Sequence, residues 1–298
     1  MTVYGYEKQK RLMEKIGYAD YFDYWKEEIG LSPYDLGQWH FDFVKMLNDV
    51  FDIKNKMVLD IGCSGGITTK LMRDQCNASE AFGCDVNPNV IDKTPFLDIK
   101  SNLIHCDTTE MSSHFSPGFF DFINSHMVFE HFPDWEYSIN VAKEISVLLN
   151  NGGIFFCVLD CSPNLQNKTE SDLIAIRESG INVDITHTNV QDINKWKDLF
   201  SSVGLVDLST ILLPIVNSFV GTDGFSFYEQ YNWDMLCFGK GKVEDCILES
   251  FIIDGILRLS SLLEQQRENG LERKDLYKRI IDECYVNIMI RSVFEKFI

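Results

Sequence analysis

The chain has 298 residues, 45% of them hydrophobic and 13% aromatic, enough to bury a sizeable core, so one domain with an appendage is expected. A formal charge of −18 and a pI near 4.7, with no basic patch, exclude a nucleic-acid backbone or an anionic membrane surface as partner, because both would be repelled at long range. Nine cysteines without a Cys-x-x-Cys pair argue against a disulfide framework or a zinc site, and a polar N-terminus without a long apolar run points to a cytoplasmic protein with no signal peptide or spanning helix.

Residues 1–54 form the first expected unit, a helical segment over residues 4–51 broken between residues 30 and 33 and rich in aromatic residues. These rings either pack the segment onto the main domain or make it a lid over a substrate pocket, with Trp39 and His40 as the lid candidates. Strand and helix then alternate from Met57, which predicts a parallel sheet covered by helices on both faces.

The central stretch is Val58-Leu59-Asp60-Ile61-Gly62-Cys63-Ser64-Gly65-Gly66. A short apolar run with one acid reads as a strand buried on both faces, the glycines permit a sharp turn, and residues 67–73 read as the following helix. Small residues in such a turn let a ligand approach the backbone and the free N–H groups of that helix. Asp85 follows Gly66 by 19 residues at the end of a second apolar run, close to the spacing at which a carboxylate meets ribose hydroxyls in nucleotide-binding α/β folds.

These residues resemble the first motif of the class I S-adenosylmethionine-dependent methyltransferases, Val-Leu-Asp-Ile-Gly-Cys-Gly-x-Gly, with Ser64 in place of the middle glycine. That replacement requires the turn to avoid a glycine-only geometry there. The resemblance covers residues 55–239 and implies a Rossmann-like, mostly parallel seven-stranded sheet, S-adenosyl-L-methionine as cofactor and a small-molecule substrate. It also implies a cofactor set of Asp60, Gly62, Cys63, Ser64, Gly66, Asp85, Val86, Asp107, Thr108 and Asn124. Asp107 and Thr108 follow a third predicted strand, residues 103–107, where a helix-capping acid is the alternative reading.

Residues 119–124 read as the fourth strand. The sequence from Ser125 to Asp134 resembles the family's fourth motif with its Glu130-His131 pair, and it lacks the double proline of enzymes that methylate nucleobase or glutamine amino groups. By the same resemblance no metal is expected at this pair, because Met127 stands where quinone-biosynthesis relatives place a further glutamate. Residues 135–149 fit an amphipathic helix, Asn151-Gly152-Gly153 its end, and residues 154–159 the fifth strand. A polar insertion over residues 160–190, containing Asp184-Ile185-Thr186-His187, then follows a strand's carboxyl end and is placed to line the substrate side. Residues 205–213 and 233–238 are expected to complete the sheet as an antiparallel pair.

Residues 55–241 therefore form the expected cofactor-binding domain. Residues 242–298 form a C-terminal extension of two amphipathic helices, which could pack on that domain, cap a pocket or make a homodimer. A hydroxyl acceptor must lose a proton as it attacks, so His131 and His126, just past the fourth strand, and then His187 are the candidate bases; each has a structural alternative. The resemblance implies methyl transfer to a hydroxyl of a sugar or natural product, with carbon or nitrogen as alternative acceptors. Two competing readings are a non-catalytic binding protein, opposed by the intact Asp60 and Asp85, and a nicotinamide-dependent oxidoreductase, opposed by the absence of Gly-x-Gly-x-x-Gly.

Overall fold

A computed structural model describes residues 4–18, 23, 26–27, 34, 37–181, 183–209 and 233–241. The expected C-terminal helices, the break near residue 30 and the loop at 214–231 lie outside these residues.

Helices α1 (Tyr4–Lys15) and α2 (Gln38–Phe51) precede the alternating part of the chain. There β1 (Met57–Ile61), α3 (Ile67–Asp74), β2 (Glu80–Asp85), α4 (Pro88–Asp92), β3 (Leu103–His105) and β4 (Phe120–His126) follow in turn. They lead to α5 (Trp135–Leu148), β5 (Leu149–Asp160), α6 (Glu170–Glu178), α7 (Ile193–Ser202), β6 (Leu205–Asp207) and β7 (Trp233–Lys240). One sheet holds all seven strands in the order β3-β2-β1-β4-β5-β7-β6. The first five are parallel, and β7 runs antiparallel to both β5 and β6, as the sequence predicted for the last pair.

The two-residue period of the strands builds two cores. Val58, Phe122, Phe156 and Val158 point to the face covered by α2 and α3, where Phe43, Leu47, Phe51, Leu71 and Met72 bury against them. Leu59, Ile61, Ile123, Phe155 and Cys157 point to the opposite face, covered by Val141, Ile145 and Leu148 of α5 and by Trp196 and Phe200 of α7. Strands buried on both faces read as the apolar runs that made them legible.

Several local expectations need correction. The chain passes from α5 directly into β5 at Leu149, whose backbone is already extended, so Asn151-Gly152-Gly153 lies inside the strand. A register shift between Phe120 and Phe122 accommodates these residues. Strand β4 continues to His126, which is therefore the strand's last residue and does not lie past it. Strand β3 ends at His105, so Asp107 begins a short 3-10 segment, Thr108–Ser113, as its cap. The insertion after β5 contains α6, capped by Thr169 and Asp172, which bond each other's backbone N–H groups.

Candidate functional site

Neighbouring strands β1 and β4 leave the sheet in opposite lateral directions, toward β2 and toward β5, which opens a crevice at their carboxyl ends. The glycine turn lies there. Gly62 has φ +69 and donates its N–H to the Cys84 carbonyl at 2.8 Å; a Cβ at Gly62 would meet the side chain of Val128, in the loop after β4. Gly66, φ +89, caps α3, and a Cβ there would lie 2.8 Å from Leu103. Ser64 takes φ +51, at the edge of the left-handed region that a serine can enter at a cost of about 1–2 kcal/mol.

Two acids fix the turn from below and from the side. Asp60, 3% exposed, accepts from Thr69 Oγ1 at 3.0 Å and from Asn124 Nδ2 at 2.8 Å. Burial raises its pKa to about 6 despite those two bonds. Asp85 accepts from the backbone N–H of Ser64 at 2.9 Å and of Asn87 at 2.8 Å, and burial pushes its pKa up as well. Asp85 thus ties the first turn to the start of α4, and Val86 lies between it and Asn87 in the chain. Asp107 accepts from the Thr109 N–H at 3.0 Å, the expected capping role, and also from the Tyr137 hydroxyl at 2.6 Å. Thr108 Oγ1 meets the same hydroxyl at 3.0 Å and is buried. Tyr137 was not picked out from the sequence, because it lies on α5, 30 residues beyond Asp107.

The three histidines separate into two groups. His126 lies under α2: the Trp39 ring stacks on it at 5.5 Å, Phe43 approaches to 4.7 Å, and His40 stacks on Trp39 at 3.5 Å. Burial lowers the pKa of His126 to about 3 and that of His40 to about 4, so both rings are neutral.

His131 and His187 come together instead, with ring centroids 4.7 Å apart and edge to face. His131 ends the 3-10 turn Phe129–His131, and its Nδ1 lies 2.7 Å from Thr186 Oγ1. His187 Nδ1 lies 2.8 Å from Asp160 Oδ2 and its Nε2 3.8 Å from Asp184. Burial alone would lower the pKa of His187, but Asp184 and Asp160 outweigh it and raise the pKa to about 9, whereas burial and the nearby His187 lower that of His131 to about 3. Beside them stands Glu130, 1% exposed; neither of its carboxylate oxygens has a hydrogen-bond partner among the described residues, and burial raises its pKa to about 7. Ligand atoms of Glu130, His131 and His187 all lie within 4.8 Å of one another. Asn189 secures the grouping, since its N–H bonds the Glu130 carbonyl and its amide bonds the Phe129 carbonyl, each at 2.9 Å. In the sequence His131 and His187 stand apart and nothing local marks Asp160 as a partner; the Asp-x-x-His spacing from Asp184 to His187 is the available signal.

A parallel sheet of this order, carrying a glycine turn after β1 and an acid at the end of β2, defines a Rossmann-like nucleotide-binding protein. Residues 40–210, more than half of the chain, match the model of a methyltransferase domain family. The chain belongs to that family, the class I S-adenosylmethionine-dependent methyltransferases. A ubiquinone biosynthesis O-methyltransferase of Chromobacterium violaceum is 26% identical over 142 residues, 46% of this chain and 58% of that protein. Among solved structures, the phosphoethanolamine N-methyltransferase 2 of Haemonchus contortus shares the fold with a TM-score of 0.51 at 14% identity, covering 77% of this chain and 59% of that one. Geranyl diphosphate C-methyltransferase of Streptomyces coelicolor has a TM-score of 0.44 at 13% identity, covering 66% of this chain and 78% of that one. The chain thus spans under two thirds of the first two proteins. Among the described residues no helix is long and apolar enough to cross a membrane.

Proposed function

We propose that this chain transfers a methyl group from S-adenosyl-L-methionine to a hydroxyl of a small molecule, a sugar or natural product. The observation that carries the reading is the contact between Gly62 and Val128, which sets the glycine turn against the loop that two residues later presents Glu130 and His131. Cofactor cradle and polar cluster therefore share one crevice.

The cradle suits the cofactor. Gly62 and Gly66 have no side chain over the turn, the backbone of Cys63 and Ser64 is available to polar groups, and Asp85 is half-buried and fixed by two N–H bonds with its remaining lone pairs open to ribose hydroxyls. Asp60 and Asn124 support the turn from the strand ends, while Val86, Asp107 and Thr108 line the side expected to hold the base. When bound, the cofactor supplies a methyl group on a sulfonium sulfur. The acceptor oxygen bonds the methyl carbon as the carbon–sulfur bond breaks with its electron pair passing to sulfur, so the chain has to align the oxygen, exclude water and accept the hydroxyl proton. Glu130, whose pKa is raised to about 7, is placed for that last task, with His131 and His187 beside it. His126, neutral and packed under Trp39, is assigned to acceptor positioning, with α2 as the covering element. The curated relative's name, an O-methyltransferase, favours oxygen.

Calorimetric titration with S-adenosylmethionine, S-adenosylhomocysteine and NAD tests the cofactor; binding of the first two and not of NAD is expected. Incubation of the loaded protein with sugar and phenolic acceptors, read by mass spectrometry for the gain of one methyl group, tests the acceptor. Binding of NAD alone would overturn the reading. Products methylated only at nitrogen or carbon would overturn its oxygen assignment.

A further inference from the structure

The buried carboxylate of Glu130 makes no hydrogen bond among the described residues, although it sits beside two imidazoles. Leaving a buried carboxylate unpartnered is costly, and the arrangement around it shows what would offset that cost. Both histidines have Nδ1 already engaged. Asp160 is an acceptor, so His187 donates Nδ1–H to it at 2.8 Å. The Thr186 hydroxyl donates to Asp184 Oδ1 at 2.6 Å, which leaves its oxygen to accept from His131 Nδ1–H at 2.7 Å. Each imidazole is thereby oriented by an outer acceptor through Nδ1, so that Nε2 is the nitrogen left to face an ion, which would displace the second proton of His187 on binding. Carboxylate or hydroxyl partners on the far nitrogen are the arrangement that orients histidines at metal centres.

We propose that Glu130, His131 and His187 form a binding site for a divalent transition-metal ion of the zinc or manganese class, at which the acceptor hydroxyl coordinates. This rests on the methyl-transfer reading for the acceptor, but not for the ion. Two imidazoles and one carboxylate are a donor set that holds zinc with a fourth position open to an oxygen ligand. Ligands about 2.1 Å from a tetrahedral ion stand roughly 3.4 Å apart. Donor atoms within 4.8 Å of one another reach that arrangement by side-chain rotation. The sequence argued against a metal here because Met127 replaces a second acid; the fold supplies His187 from the insertion instead, held in place through Asn189.

An ion in that position does two things the side chains alone do less well. It would neutralise the buried carboxylate, and as a Lewis acid it would lower the pKa of a coordinated hydroxyl, so that the proton leaves to solvent as the acceptor binds and none of the three ligands has to take it.

The experiment uses the full chain, treated with chelator and dialysed, then titrated calorimetrically with zinc chloride and separately with manganese chloride. Cobalt(II) absorption serves as a second readout of nitrogen and oxygen ligation. Saturable binding to a single site is expected. Glu130→Gln and His187→Asn should each lower the affinity at least tenfold, and Asp160→Asn, which removes an outer partner, by about 10- to 100-fold. S-adenosylmethionine affinity and circular dichroism should stay unchanged, which separates loss of the metal site from loss of the fold. Two substituted ligands on different elements keep the test decisive if one variant does not fold. Absence of saturable binding, or wild-type metal affinity in folded Glu130→Gln and His187→Asn, would overturn the proposal. Metal binding in a protein that binds no S-adenosylmethionine would instead overturn the methyl-transfer reading and leave the ion site standing.

Discussion

Substituting Gly62 by alanine tests the joint between the cofactor turn and the acceptor loop. The new Cβ would lie 3.0 Å from Val128 Cγ1 and closer still to Cγ2, inside the 3.5–4.0 Å at which carbon atoms attract. Valine is stiff at χ1, so the clash cannot be relieved by a free rotation, and overpacking of this kind costs about 1–3 kcal/mol. A second cost is independent of Val128: alanine at φ +69 carries the left-handed penalty of about 1–2 kcal/mol. Together the variant should lose about 2–5 kcal/mol of stability, read from urea unfolding midpoints. A double-mutant cycle separates the two parts. In Gly62→Ala/Val128→Ala the steric part should vanish while the backbone part remains, giving a favourable coupling of about 1–3 kcal/mol. S-adenosylmethionine affinity should follow the same order, weakest in the single glycine variant and partly restored in the double variant. Additivity within about 0.5 kcal/mol would refute the reasoning, because Val128 would then not be the residue against the turn.

The other predictions concern the residues that hold this turn. Asp60 is raised from 3.8 to about 6, so the folded state holds its proton more tightly; the stability it contributes is present below pH 4 and lost as pH rises through about 6. Urea midpoints of wild type should therefore fall relative to Asp60→Asn across that window, and parallel curves would remove Asp60 as the cause. Asp85→Ala leaves the N–H groups of Ser64 and Asn87 without their acceptor and should weaken S-adenosylmethionine binding by about 1–3 kcal/mol in calorimetry; unchanged affinity would take Asp85 out of the site. Ser64→Gly relieves the left-handed strain but adds unfolded-state entropy, and the balance should raise stability by about 0.5 kcal/mol; a loss above about 1 kcal/mol in thermal melts would show that the serine hydroxyl supports the turn.

Most of the sheet was legible because its strands are buried on both faces and separated by glycine turns. The misreadings have specific causes. Asn151-Gly152-Gly153 carries a helix-stop composition, yet Leu149 pairs with Phe120 of β4 before those residues arrive, and that cross-strand pairing overrides local preference. Helix α6 has Leu173 as its one buried residue, too little apolar periodicity to register, although the Thr169-to-Asp172 capping pair was present in the sequence.

The candidate site divides along the same line. Acids and glycines of the cradle were readable because one local strand-turn-helix unit and the next strand carry them, so spacing in sequence is spacing in space. The histidine grouping was not, since Glu130 and His187 lie on elements far apart in the chain and are joined by the bonds of Asn189 to the backbone of Phe129 and Glu130 and of Thr186 to His131. His126 shows the converse. It stood beside His131 in the sequence, but strand β4 ends between them, leaving His126 under Trp39 and Phe43 while His131 turns toward the insertion. Burial holds both His126 and His131 neutral, each with its pKa lowered to about 3, so what separates them is their partners: aromatic rings for His126, and for His131 the Thr186 hydroxyl, which is itself bonded to Asp184. The end of one strand therefore sorts two nearby histidines into different surroundings, and that end is set by the pairing of Ser125 and His126 with Cys157 and Val158 on β5.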